Sequence, residues 1–176
     1  MMSVPILIFL ILLIVGIIAI LAFLVFNSIG FFTGAPYAPS PSSIVNKVID
    51  LAQITEKDVV YDLGSGDGRI LIGVAKKGAK AIGWEINYPL YAWSMRSIKQ
   101  SGLSGKIAVH FGNFWNKPFS GATVVFAFLL PQSMKRLEQK LRREVAPKTR
   151  VVTYLAKLPT YKPYKETPDG LTLYIF

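Results

Sequence analysis

The chain has no cysteine and a single histidine, His110. Disulfide frameworks, cysteine-based zinc sites and cysteine nucleophiles are therefore excluded, as is a histidine-rich metal centre. No metal is expected. Acid is scarce: 10 Asp and Glu stand against 20 Lys and Arg, a net charge of +10. Charge of either sign is missing altogether before Lys47. No internal repeat is visible, so a solenoid is not expected.

The uncharged N-terminal part holds an apolar run, Val4 to Phe26, that reads VPILIFLILLIVGIIAILAFLVF. A bilayer crossing needs about 20 such residues. A cleaved signal peptide has an apolar core of about 7 to 15 residues behind a basic start. This core is longer, and Met1-Met2-Ser3 carries no base. The expectation is an uncleaved transmembrane anchor over residues 1–27, touching the lipid bilayer through residues 4–26. Gly30, Gly34, Pro36, Pro39 and Pro41 follow. They predict a linker over 28–41 that resists helix and leads into a single domain, 42–176. That domain carries the whole positive charge. Beside an anchor, such charge suits anionic lipid headgroups better than nucleic acid.

The domain alternates strands and helices. Ser42 or Ser43 can cap a helix whose apolar face is Ile44, Val48, Leu51 and Ala52. Strands are predicted over Asp58 to Leu63, Ala79 to Glu85, Lys106 to Phe111, Ala122 to Leu130 and Arg150 to Leu155, with a last strand in LTLYIF after the turn Asp169-Gly170. Helices are predicted over Arg69 to Lys77, Pro89 to Ser101 and Gln132 to Val145. The second of these places Leu90, Trp93 and Ser97 on one side. The third has a buried stripe of Met134, Leu137, Leu141 and Val145, with Lys135, Arg136, Lys140, Arg142 and Arg143 on its surface. The near-continuous apolar run ATVVFAFLL reads as a central strand covered on both faces. The fold class is α/β, a Rossmann-like, mostly parallel doubly wound sheet behind one N-terminal transmembrane helix. His110 lies in the alternating strand IAVHF, and with no partner in sequence it reads as structural.

The stretch Val59 to Arg69, VVYDLGSGDGR, carries the chemistry. Gly64, Gly66 and Gly68 follow a short strand, with Asp62 at its mouth. Glycine there permits a tight turn and leaves backbone amides open to a ligand. A second strand ends in Glu85, about 20 residues on, where a carboxylate can accept hydrogen bonds from ribose hydroxyls. A dinucleotide turn needs G-x-G-x-x-G; here the third glycine comes one position early, and Arg69 stands in its place. A P-loop needs a Gly-Lys-Ser/Thr ending, which is absent. Asp62 and Asp67 also flank the turn, and their charge repels a pyrophosphate but favours a ligand bearing an ammonium and a sulfonium. S-adenosylmethionine is such a ligand.

VVYDLGSGDGR together with GWEIN resembles the first motif and the ribose acid of class I S-adenosylmethionine-dependent methyltransferases. The entry segment Ala35-Pro-Tyr-Ala-Pro-Ser-Pro41, the strand end Phe128-Leu-Leu-Pro131 and the late strand RVVTYL are similar to a narrower group. That group is the membrane-anchored protein-lysine methyltransferases of the ATP synthase c-subunit and adenine nucleotide translocator type. The resemblance covers roughly residues 35–160. It implies that Asp62, Gly64, Ser65, Gly66 and Asp67 contact the methionine and adenosine parts of the cofactor, and Glu85 its ribose. It places Asn113 and Phe114 around the adenine, with asparagine in place of the more usual acid. Thr123 likewise replaces an acid at the opening of the fourth strand. On the acceptor side the resemblance implies Tyr37, in a loop, and Pro131.

Methyl transfer from a sulfonium is an in-line displacement that needs orientation and no metal or covalent nucleophile, which suits a chain without cysteine. A lysine acceptor must first lose a proton, and a pocket of low polarity lowers its pKa. The expected activity is methylation of a lysine on a membrane-associated protein, by a single-pass membrane protein whose catalytic domain faces the cytoplasm. Three alternatives stand beside it: a methyltransferase for a small molecule, a lipid or RNA; a module that binds the cofactor without transfer; and a nicotinamide oxidoreductase, which the glycine spacing disfavours. An uncleaved anchor predicts that mass spectrometry of the mature chain finds the apolar run attached. A mature N-terminus near Gly34 to Ala38 would show a signal peptide instead.

Overall fold

The computed structural model describes residues 3–33 and 41–176. The first helix, α1, runs over Val4–Thr33, 30 residues, a length of about 45 Å at 1.5 Å per residue. It is long and apolar enough to cross a bilayer. It also continues beyond Phe26, so residues 28–33 are helical and do not form the helix-resistant linker that their composition predicts. The reason is that Gly30 alone costs a helix only about 1 kcal/mol, and the first proline after the apolar run is Pro36. The rest of the expected linker, with Tyr37, lies outside the described residues.

The domain follows as α2 (Ser42–Ala52), β1 (Val59–Leu63), α3 (Arg69–Lys76), β2 (Lys80–Glu85), α4 (Tyr88–Ser101), β3 (Ile107–Phe111), a 3-10 turn (Phe114–Asn116), β4 (Val124–Ala127), α5 (Pro131–Glu144), β5 (Arg150–Tyr154), β6 (Lys165–Glu166) and β7 (Leu171–Ile175). The sheet order is β3-β2-β1-β4-β5-β7-β6. The first five strands are parallel and β7 runs antiparallel to β5. The strand order reverses between β1 and β4, which opens a crevice at their carboxyl ends. Helix α2 begins at Ser42, and the cap position falls on Pro41, with no side-chain cap bond, rather than on Ser42 or Ser43.

Side chains along each strand alternate between two cores. Val60, Val124, Phe126 and Val152 pack with Ile44, Val48, Leu71 and Val74 from α2 and α3. Leu63, Val125, Ala127 and Val151 pack with Met134, Leu137 and Leu141 from α5. Strand β4 stops at Ala127, short of the predicted Leu130. Its neighbour β1 ends opposite, with Leu63 paired to Ala127, and turns away at Gly64, so Phe128 has no partner on the β1 side.

Two helix faces differ from their sequence patterns. In α4 the buried line is Leu90, Ser94 and Ile98, and Trp93 is exposed. In α5 Lys140 is buried rather than solvated. Its ammonium lies 4.5 Å from the Phe119 ring centre and bonds Glu144 Oε1 at 2.7 Å. Burial of the Lys140 stem along an aromatic ring with its charge paired is the usual way such a residue enters a core.

Glu138, also buried, ties the segment after β5 to α5. It accepts from the Thr160 amide at 2.9 Å, from the Thr160 hydroxyl and from Arg142 Nε at 3.0 Å. Burial alone would raise its pKa, but the Thr160 bonds and Arg142 hold it below the usual carboxylate range. A Glu138→Ala variant leaves these donors unpartnered. It is expected to lose about 1–3 kcal/mol of stability, read as a lower denaturation midpoint in urea with an unchanged slope.

Candidate active site

The glycine turn folds back on the second strand. The amides of Gly64 and Ser65 both donate to the Trp84 carbonyl, at 3.1 and 2.9 Å. Gly64, Gly66 and Gly68 have φ of 92, 55 and 83°, a region L-residues with a side chain rarely enter. The Gly66 amide then donates to Glu85 Oε2 at 2.8 Å, and the Asn87 amide donates to Glu85 Oε1 at 2.7 Å. One carboxylate thus joins the loop after β1 to the start of α4. Each of its oxygens keeps a second lone pair for a ligand hydroxyl.

Asp62 sits between Gly83 of β2 and Phe126 of β4 in register. It is fully buried, and burial, then the charges of Glu85 and Asp67, push its carboxyl up to about 8. Burial also raises Glu85, against the amides of Asn87, Gly66 and Ile86, which favour its charged form. A cation at this turn would relieve both. Asp67 behaves differently. It turns to Arg69, whose Nε donates at 2.9 Å and whose amide donates at 3.2 Å. Burial would raise Asp67, but the bonds and charge of Arg69 hold it below its ordinary value.

Asn113 caps the 3-10 turn by accepting from the Trp115 amide at 3.0 Å. With its carbonyl oxygen so used, its amide group is the free donor of the pair. Phe114 beside it is buried and lies 4.7 Å from the Trp115 ring. On the opposite side of the crevice Pro131 is the first residue of α5. Phe128, just past β4, meets Tyr154 at the end of β5 edge to face, with ring centres 4.8 Å apart. The chain then makes a tight turn: Leu155 has φ of 64°, and the Ala156 amide donates to the Tyr154 carbonyl at 2.8 Å. That is a γ-turn of the strained kind.

Asp62, Gly64, Ser65, Gly66 and Glu85 are therefore brought together, Asp67 is adjacent but paired with Arg69, and Asn113 and Phe114 follow Gly112, whose amide donates to the Glu85 carbonyl at 2.8 Å. Two contributors escape a motif reading. Gly83 is required because a Cβ there would stand 2.7 Å from Ser65 Cβ, and only the neighbouring strand reveals that contact. The Phe128–Tyr154 pair joins residues far apart in sequence. His110, read as structural, stacks on Trp84 at 6.1 Å.

The residues fit S-adenosylmethionine. Ser65 Oγ is buried with no hydrogen-bond partner among the described residues, a cost that a polar ligand would remove. The amides of the turn are not open as expected: Gly64 and Ser65 donate to Trp84, Gly66 to Glu85 and Gly68 to the Ser65 carbonyl, so it is the raised acid Asp62 that suits the cationic end of such a ligand. Fold and turn together define a class I S-adenosylmethionine-dependent methyltransferase, and S-adenosylmethionine is its cofactor. Within that class, residues 62–165 match the family model of the ANTKMT methyltransferase domain, and the chain belongs to that family.

Known relatives agree. A protein-lysine N-methyltransferase of Saccharolobus islandicus is 38% identical over 130 residues, 73% of this chain and 81% of that protein. The lysine N-methyltransferase of the ATP synthase c-subunit from Homo sapiens is 33% identical over 136 residues, 77% of this chain. The matched region is 58% of the human protein's length. An RNA methyltransferase from Salinibacter ruber, solved with S-adenosyl-L-homocysteine, superposes with a TM-score of 0.74 at 34% identity. It covers 78% of this chain and 91% of that one.

The raised Asp62 fixes a pH dependence. Its folded value, about 8, lies above the ordinary 3.8. Between those values the folded chain holds a proton that the unfolded chain has released, so stability falls as pH rises through that window. Thermal unfolding of the cofactor-free protein in detergent is expected to show a falling Tm from pH 5 to 8. In Asp62→Asn that fall is expected to be clearly shallower; an equally steep fall would exclude Asp62 as its source.

Proposed function

We propose that this chain is a membrane-anchored protein-lysine N-methyltransferase acting on a membrane-associated protein. The observation that carries the lysine acceptor is the 38% identity with a protein-lysine N-methyltransferase, over 81% of that protein's length. The anchor reading rests on α1. The stretch 34–40 reaches at most about 25 Å when extended, so a domain tethered to a span of bilayer meets acceptors close to the surface. The relatives named for the ATP synthase c-subunit and for adenine nucleotide translocase support a membrane-protein acceptor. Cofactor supply in the cytosol supports a domain that faces the cytoplasm.

Each part of the site then has a task. Bound S-adenosylmethionine supplies a methyl group already activated by a sulfonium. Asp62 and the Ser65 hydroxyl hold the methionine end. Glu85, fixed by Gly66 and Asn87, accepts from the ribose hydroxyls. Asn113 and Phe114 bound the adenine, one by hydrogen bonding and one by packing; Asp67 acts through Arg69 to shape the turn. On the acceptor side Pro131 and Tyr37 are candidates to orient the amine. Phe128 and Tyr154 add an aromatic, uncharged wall. Such a wall disfavours the ammonium form of lysine and promotes loss of its proton, which leaves the lone pair free for in-line attack.

A second reading, an RNA acceptor, is favoured by the likeness to the Salinibacter ruber RNA methyltransferase and by the +10 charge. Labelled methyl transfer separates the two. Membranes lacking this protein are supplied with the full chain and labelled cofactor, and protein and RNA fractions are counted. The expected result is label in protein, recovered after hydrolysis as methyl-lysine; label confined to RNA would replace the first reading with the second. Glu85→Ala removes charge-assisted bonds worth about 1.5–3 kcal/mol. It is expected to weaken cofactor binding about 10- to 100-fold, measured by calorimetry, and full affinity would withdraw the ribose assignment.

A further inference from the structure

We infer that the outer face of α4, with the end of β3, is a second membrane contact that lays the rim of the crevice on an anionic bilayer surface. The inference rests on the anchor reading of α1. Outside α1, few large apolar side chains are exposed among the described residues, and four of them lie on α4 and the end of β3: Tyr88 at 64%, Met95 at 48% and Phe111 at 54% on one flank of the exposed face, and Trp93 at 57% on the other flank, about 140–160° further round the helix. Tyr88 and Phe111 touch edge to face, with ring centres 5.5 Å apart. Both stand at the carboxyl edge of the sheet, where Glu85 pairs with Phe111 in register.

The charge on this face matches lipid headgroups. Arg96 and Lys99 share the exposed side of α4 with Tyr88 and Met95, and the helix contains no acid. No Asp or Glu occurs anywhere between Glu85 and Glu138. Aromatic rings with a polar tip, a flexible thioether and flanking cations are the composition of an interfacial helix. Exposed apolar clusters of this kind are rare on a surface meant only for water.

Helix α5 provides the contrast. Its exposed residues include Lys135, Arg136 and Arg143 but no exposed large apolar side chain. Its cations are partly engaged: Arg136 lies 4.2 Å over the Trp115 ring, and Arg142 bonds Glu138. Electrostatic attraction alone would favour α5, whereas insertion of side chains below the headgroups requires α4. Resting on α4 would hold the cofactor crevice beside the bilayer, within reach of a lysine near the membrane surface.

The sequence offers a native probe. The three tryptophans are Trp84, Trp93 and Trp115; Trp84 and Trp115 are buried, and α1 contains none. The full chain is reconstituted into vesicles of phosphatidylcholine and phosphatidylglycerol, with and without brominated acyl chains. Flotation first reports whether α1 anchors the protein. Expected are flotation, loss of the Trp93 emission in brominated vesicles, and no such loss in Trp93→Phe. The double variant Arg96→Glu, Lys99→Glu is expected to float but to regain most of that emission. A tryptophan placed by Gln139→Trp on exposed α5, in the Trp93→Phe background, is expected to stay unquenched. Failure to float overturns both the anchor and this inference. Flotation with unquenched Trp93, or equal quenching at 93 and 139, overturns this inference alone.

Discussion

The carboxylate of Glu85 is the point from which the site is built. Its two oxygens receive the amides of Gly66 and Asn87, so the turn after β1 and the entry to α4 share one acceptor. Both amides would otherwise point into a crevice with no strand partner. Parallel pairing of β1 with β2 brings Glu85 there, because Leu63 lies beside Trp84 in register. The glycines and the acid are thus parts of one hydrogen-bonded unit. That unit leaves Asp62 buried and Ser65 Oγ unpartnered, two deficits of the same sign. The fold tolerates them where a ligand with a cationic end and several hydroxyls would relieve both.

The remainder of the sheet serves that unit at a distance. At its opposite edge Asp58 bonds the Thr123 hydroxyl at 2.7 Å and pairs with Arg150. Burial would raise Asp58, but the Thr55 amide, Thr123 and Arg150 hold it low. It is therefore charged where Asp62 is neutral, although the two lie four residues apart on one chain. The difference is a matter of partners: a guanidinium and donors on one side, two further acids on the other. The amino edge of the sheet is electrostatically closed, and the carboxyl edge is left open.

The domain is a compact version of its fold. The connection from β3 to β4 is a 3-10 turn, and the connection from β5 to β6 has no helix among its elements. Glu138 and the Tyr161 ring hold that second connection against α5. Among the described residues the acceptor side is bounded by strand ends and by the Phe128–Tyr154 pair.

Much of this was legible in the residues alone. Alternation of apolar runs with glycine turns specified a doubly wound sheet, because period and turn chemistry are local properties. The spacing of Asp62, the three glycines and Glu85 pointed to a nucleotide-edge turn for the same reason. The long uncharged run specified a helix able to cross a bilayer. Other features depended on neighbours that are remote in sequence. The length of β4 was set by where β1 turns away. The buried side of α4 followed the packing of Ser94 against Gly68, so Trp93 faced outward. Lys140 entered the core because Phe119 and Glu144 were there to receive it, and Asp67 was claimed by Arg69. Local pattern fixes which element forms; the contacts between elements fix where it ends, which face is covered and which charges are left for a ligand.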